Sequence, residues 1–282
     1  MIRASAFPHR EQAWRWLISL ILTLVAVVDL YPIFFMAANT LKTNAEYLTN
    51  PLGMPRHWTY LDNYIGMFYR FDLPRLFFNT LLYILLAAAL SLAISIPGAF
   101  ALAKMNFPAR GFLRMAIIST LIIPTITFII PNYLLMSKLG LVDHYLSVVL
   151  LWGITSVPGT IFLLSAIMRG IPNEVLEAAK VDGAGFLQTL LWLVMPLSVP
   201  GIITVLIFNC TGWWNDLLLP LIFLQSDNKM TITVAVATIV GRYSSDYPLL
   251  ITGLLLASIP PMGIYILMQR YIRQGLVIGS IK

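Results

Sequence analysis

Residues 76–103 read LFFNTLLYILLAAALSLAISIPGAFALA, 28 residues without a charge, closed on either side by Arg75 and Lys104. An α-helix rises 1.5 Å per residue, so about 20 apolar residues cross the roughly 30 Å hydrocarbon core of a bilayer. This stretch is long enough to do so. Five further runs follow the same pattern. Between Arg15 and Lys42 lie 26 residues with one charge, Asp29, while 23 uncharged residues separate Arg114 from Lys138 and 25 separate Asp143 from Arg169. Another 33 lie between Asp182 and Asp216, and 23 between Asp246 and Arg270. The reading is an all-α integral membrane protein of six transmembrane helices, at about 16–39, 77–103, 113–136, 145–168, 191–213 and 247–268. The first run is too long for a signal-peptide core and no small-residue cleavage site follows it, so it reads as a retained span.

Composition agrees, because 59% of the 282 residues are hydrophobic and 11% charged, with a mean hydropathy of +0.84, which excludes a single soluble core. One cysteine, Cys210, leaves neither a disulfide framework nor a thiolate metal site. A net charge of +6 would suit nucleic acid, but the 18 Lys and Arg are scattered between apolar blocks. They read as topology signals, and no nucleic-acid partner is expected.

With residues 1–15 placed in the cytoplasm, the inner segments carry eleven basic residues against four acidic ones, Glu11, Glu174, Glu177 and Asp182. The outer segments balance at seven against seven. The positive-inside rule therefore puts both termini in the cytoplasm, with 169–190 and the tail 269–282 also inside and the loops 40–76 and 214–246 outside.

The inner segment Gly170-Ile171-Pro172-Asn173-Glu174-Val175-Leu176-Glu177-Ala178-Ala179-Lys180-Val181-Asp182-Gly183-Ala184 carries the strongest local signal. Pro172 suits the first position of a helix, Glu174 and Glu177 lie in early turns where the dipole favours anions, and Gly183 suits the left-handed residue that ends it. A helix of about ten residues cannot span a bilayer. Ala178 and Ala179 give it a small-residue face beside carboxylates, so it either docks in a groove of another protein or lies on the membrane as an amphipathic connector.

The run Glu177-Ala178-Ala179, three residues, Gly183, Ala184, then Pro196-Leu197 and Pro200, resembles the EAA loop of ABC importer permeases. Gly185 and Trp192 depart from that pattern, standing where such loops often have a better capping residue and a basic one. Tyr31-Pro32 with Leu41-Lys42, Trp214-Asn215-Asp216 with Leu219-Pro220-Leu221, and Gln269-Arg270-Tyr271 with Gly275-Leu276 and Gly279 resemble the carbohydrate branch, in particular the smaller maltose-type subunit. The resemblance implies a type I ABC importer permease bundle in a bacterial cytoplasmic (inner) membrane. It implies pairing with a homologous second permease, docking on two cytoplasmic ATPase subunits, and receipt of sugar from an extracytoplasmic binding protein. Glu177, Ala178, Ala179, Asp182, Gly183 and Ala184 would contact the ATPase. The tail, through Gln269, Gly275, Gly279 and Lys282, would reach between the two ATPase subunits, its glycines interrupting any helix.

No GxxxxGK[ST], HExxH or GxSxG occurs, and His9, His57 and His144 are far apart. The chain is therefore read as a non-catalytic transport subunit with no cofactor or metal of its own, ATP and Mg belonging to the partner ATPase. Asp29 is the one charge inside a span, near its outer end, where interfacial solvation suits it. Asn132, Ser156, Asn209 and Thr211 either line a sugar path or bond across helices. Pro158 and Gly159 could kink the fourth span, and the pair Trp213-Trp214 with Asn215 and Asp216 fits a belt anchor or the surface meeting a binding protein. An importer of amino acids, peptides or ions is the alternative, and a secondary transporter a more distant one.

Overall fold

The computed structural model describes residues 8–239 and 246–280; residues 1–7, 240–245 and 281–282, among them the tail residue Lys282, lie outside them. Among the described residues every regular element is a helix. In chain order these are α1 (Pro8–Asn39), α2 (Asn44–Thr49), α3 (Asp62–Arg70), α4 (Leu73–Lys104), α5 (Arg110–Thr120), α6 (Ile129–Lys138), α7 (Tyr145–Thr155), α8 (Val157–Arg169), α9 (Asn173–Val181), α10 (Phe186–Gln188), α11 (Met195–Trp214), α12 (Leu218–Phe223), α13 (Ile232–Ala237) and α14 (Tyr247–Ser280). Five stretches are long and apolar enough to cross a membrane, Trp14–Asn39, Leu73–Lys104, Tyr145–Arg169, Phe186–Trp214 and Tyr247–Gln269. A sixth candidate is the pair Arg110–Thr120 and Thr125–Lys138, bent by 88°.

That bend divides the one span expected over 113–136. Pro124 sits at φ −61° and ψ 127°, outside the helical region, and has no N–H to offer the preceding turn. A short 3₁₀ turn, Thr125–Phe128, restarts the chain in a new direction. Its loosened backbone is partly satisfied locally, since Thr127 Oγ1 donates to the Pro124 carbonyl at 2.7 Å.

The described residues form two compact units, falling within 1–70 with 239–256 and within 71–238 with 257–282. In the first, the membrane window of α1 buries none of its residues, so within this chain that window is exposed on all sides. The loop after it is built around Lys42. This lysine is fully buried, and its Nζ donates to the carbonyls of Asn50 (3.0 Å), Pro51 (3.3 Å) and Gly53 (2.5 Å). A buried ammonium is tolerated only with such partners. Asn63 of α3 adds Nδ2 bonds to the carbonyls of Thr40 and Lys42, both at 2.8 Å.

In the second unit α4 is the central helix, packed by α7, α8, α11 and α13. Its inner face, Ile96, Ala99, Phe100 and Ala103, meets Leu164 and Met168 of α8 and Ile202 and Val205 of α11. Without a hydrophobic drive between helices in lipid, close approach of small residues matters. A Cβ on Gly153 of α7 would stand 2.8 Å from Leu90 Cδ2 and 3.2 Å from the Ala87 carbonyl, so glycine sets how near α7 comes to α4. The turn before Pro196, Thr189–Val194, is π-helical, as befits a place where proline withdraws an i→i−4 donor.

At the far end, α14 continues through Gly275 and Gly279 to Ser280. The expected interruption is absent. A glycine costs a helix only about 1 kcal/mol relative to alanine, too little to break one that is already propagating.

Candidate functional site

The segment 169–190 is built from both ends. α8 closes with Arg169, and the last carbonyls of a helix carry negative partial charge. Lys104, the last residue of α4, reaches them: its Nζ donates to Arg169 O at 3.1 Å, to Ile171 O, and to Asn173 Oδ1 at 2.9 Å. One ammonium thus straps the end of α4 to the end of α8 and the start of α9. Pro172, expected as the first helical residue, is the N-cap instead. The other end of α9 is a Schellman motif. Gly183 adopts φ +81°, its N–H donates to Lys180 O at 3.1 Å, and the Ala184 N–H donates to Ala179 O at 2.9 Å. Gly185 then starts α10 with its N–H held by Gln188 Oε1 at 2.9 Å, so a side chain downstream supplies the capping that the glycine lacks.

The faces of α9 divide cleanly. Leu176, with Ile171 ahead of the helix, packs against the core of the second unit. Glu177, Ala178, Asp182 and Gly183 are exposed, Ala179 and Ala184 are half-buried, and Val181 is 88% exposed. The carboxylates of Glu177 and Asp182 bond to no group among the described residues. A cleft of about 630 Å³ lies beside the helix, walled by Phe100, Lys104, Glu177, Lys180 and Phe186. A short, rigidly mounted helix with a free apolar and acidic face is suited to seating in another surface. Because Lys104 carries its mounting, Lys104→Met is expected to loosen α9 by about 2 kcal/mol. Amide exchange over 173–181 should then quicken roughly thirtyfold. Unchanged exchange would remove the strap from the account.

The pathway candidates are dispersed. Ser156 donates to Gly153 O at 2.9 Å and pairs with Ser91 Oγ at 2.8 Å, and Asn209 Nδ2 donates to Thr160 Oγ1 at 3.0 Å. The last two of these bonds join different helices, and the first is local to the end of α7. Pro158 opens α8, and the nearest atom to a Cβ on Gly159 is Leu121 Cδ2 at 3.9 Å. Trp214 is buried, its Nε1 donating to Ala257 O at 2.9 Å and its carbonyl accepting from Thr233 Oγ1 at 2.7 Å. Asn215 is exposed and bonds its own helix at Thr211 O. Asp216 does more, accepting from Trp152 Nε1 at 2.7 Å and from the N–H groups of Leu218 (2.9 Å) and Leu219 (3.3 Å). It borders a cleft of about 350 Å³ shared with Asn132, Trp152, Thr155 and Trp213. The two indoles stack at 6.2 Å, and the Asn132 amide and Trp213 Nε1 bond to no group among the described residues. Trp152 carries no spacing signal in the sequence, and only the fold joins it to Asp216. In the tail, Gln269 is exposed and bonds Ile266 O, while Gly275 and Gly279 lie inside α14.

Fold and segment together define an all-helical membrane protein with a short exposed helix, α9, mounted on α4 and α8. Residues 94–277 match the family described as "Binding-protein-dependent transport system inner membrane component", and the chain belongs to that family. A putative ABC transporter permease of Caldicellulosiruptor sp. is 32% identical over 98% of this chain and 99% of its own length. The diacetylchitobiose uptake system permease of Streptomyces coelicolor is 26% identical over 93% and 87%. Among solved structures, a bacterial ABC transporter that imports the acidic polysaccharide alginate superposes with a TM-score of 0.79, at 21% identity and covering 96% of this chain and 99% of that one.

Proposed function

We propose that this chain is one half of the translocation pathway of a binding-protein-dependent, ATP-driven sugar importer. α9 is its coupling helix, seated in a cytoplasmic ATPase subunit. The observation that carries the reading is the exposed face Glu177 to Gly183 on a helix fixed at its start by Lys104 and at its end by the Gly183 turn. So mounted, α9 would move as a rigid body with α4 and α8, which is how nucleotide-driven closure becomes alternating access in the spans. Sugar as cargo is supported by the carbohydrate-branch motifs and by the relative named for diacetylchitobiose uptake. A homologous permease would complete the pathway, two ATPases would hold ATP and Mg, and a binding protein would deliver sugar to the outer face. The cleft of Asn132, Trp152, Trp213 and Asp216 suits this chain's share of the path, because indole faces and hydrogen-bonding groups match the C–H faces and hydroxyls of a sugar. The end of α14 would approach the ATPase pair.

Two measurements test the proposal. Reconstituted with its co-encoded partners, the chain is expected to take up labelled oligosaccharide only when ATP and the binding protein are both present; uptake by the chain alone would point to a secondary carrier. In a Cys210→Ser background, a cysteine at Asn228 should label with an impermeant maleimide from outside and one at Gly183 only after permeabilisation. The reverse pattern would invert the orientation and remove α9 from the ATPase.

A further inference from the structure

α5 and α8 pack side by side, and between them lies a recess of about 150 Å³, some ten times the roughly 10–15 Å³ that admits one water. Arg114, in the second turn of α5, and Arg169, the last residue of α8, both line it. The remaining wall is largely apolar, with Ile117, Ile118 and Phe162, and the Ser165 hydroxyl there is committed to Phe162 O at 3.0 Å. No carboxylate lines the recess.

The two guanidinium groups are poorly matched to these surroundings. Arg114 donates from Nη2 to Leu102 O at 3.3 Å, but its Nε is buried without a partner. Arg169 forms no side-chain bond among the described residues. Two like charges and a desolvated N–H facing one recess are unfavourable unless an anion is there. The planar guanidinium fork matches phosphate oxygens.

Position says which phosphate. Leu102 lies two residues from the end of α4, Arg114 near the start of α5 and Arg169 at the end of α8, so the recess sits where apolar helices meet the headgroup layer. The approach to it is apolar. Phe162 in its wall is 45% exposed and Ile118 37%. A soluble anion has no use for such a surface, whereas an acyl chain does.

We infer that this recess binds the phosphate of an anionic phospholipid, held by Arg114 and Arg169, with its acyl chain along Ile117, Ile118 and Phe162. Basic pockets between membrane helices are suited to such headgroups. The bound lipid would tie α5 to α8 four residues before α9 begins at Asn173. The inference depends neither on the cargo nor on which face is cytoplasmic.

The test uses the full chain, with whatever subunits co-purify, in nanodiscs of phosphatidylcholine with or without phosphatidylglycerol, the retained lipid being counted by native mass spectrometry. The wild type should keep phosphatidylglycerol, and the Arg114→Gln/Arg169→Gln variant should keep at least about tenfold less. Ile118→Trp, which fills the recess and leaves both charges, should lose it as well, so the outcome does not hang on one variant's folding. Lys138→Gln at the other end of this bent pair should match the wild type, and inorganic phosphate should not displace the lipid. Equal retention in the double variant and in Ile118→Trp, equal loss in Lys138→Gln, or displacement by inorganic phosphate would overturn the inference.

Discussion

Replacing Glu177 by Lys is expected to cut sugar uptake at least about thirtyfold while leaving the spans inserted and the fold intact. The side chain is exposed and bonds to no described group, so its change should cost the chain within about 0.5 kcal/mol. At a seated interface the same reversal leaves two like charges together, worth about 2–5 kcal/mol, and 2 kcal/mol already corresponds to roughly thirtyfold. Glu177→Gln should fall between. Gly183→Val acts by another route, because a β-branched residue at φ +81° costs about 1–2 kcal/mol and would pull the Ala184 and Gly183 N–H groups off their carbonyls. It should therefore raise amide exchange at the end of α9, which Glu177→Lys should not. ATPase retention on the purified chain and sugar transported per ATP are the quantities to measure. Wild-type values in Glu177→Lys would falsify the role given to α9.

Charge-free runs made the spans legible because nothing but apolar helix fits that composition, and Gly183 announced the end of α9 because only glycine takes its φ without strain. The same logic was blind where direction, not composition, was at stake. Pro124 lies in a run as apolar as the others, and the sequence gives no measure of the 88° turn made there. Lys104 looked like one more topology charge, since its acceptors are mostly backbone carbonyls 65 and 67 residues away. Gly275 and Gly279 suggested a broken tail, but a small propensity penalty did not outweigh the continuing helix. Asp216 was picked out by a motif together with Trp213, whereas the indole that bonds its carboxylate, Trp152, came from α7, 64 residues away.

Asp143 is the residue whose loss should most disturb the loops at the opposite end from α9. It sits at φ 57°, a region that Asp and Asn tolerate better than most residues. Its Oδ1 accepts from the N–H groups of Gln225 and Ser226, both at 2.9 Å, and its Oδ2 accepts from Ser226 Oγ and from Lys229 Nζ at 2.9 Å. Burial alone would raise its pKa, but the hydrogen bonds from Ser226, Lys229 and Gln225 outweigh burial and hold the carboxyl well below the usual carboxylate range. A folded pKa below the unfolded value, about 3.9, means that the stabilisation is fully present above that value and is lost as pH falls through the folded one. The latch should therefore be insensitive to pH between 5 and 8. Asp143→Asn should reproduce its loss at pH 7, because it keeps the backbone conformation and removes the charge, costing about 2–3 kcal/mol. The damage should be local. Residues 228–230 remain tied to α4 by Asn79 Nδ2, which donates to Asn228 O at 3.0 Å and Met230 O at 3.1 Å, and by Tyr83 OH, which donates to Lys229 O at 3.1 Å. Amide exchange should thus rise over 224–227 and stay low at 230–232 in Asp143→Asn, with Ser226→Ala showing a smaller rise. If exchange rises equally across both stretches, the carboxylate holds the loop as a whole and the anchors from α4 are secondary.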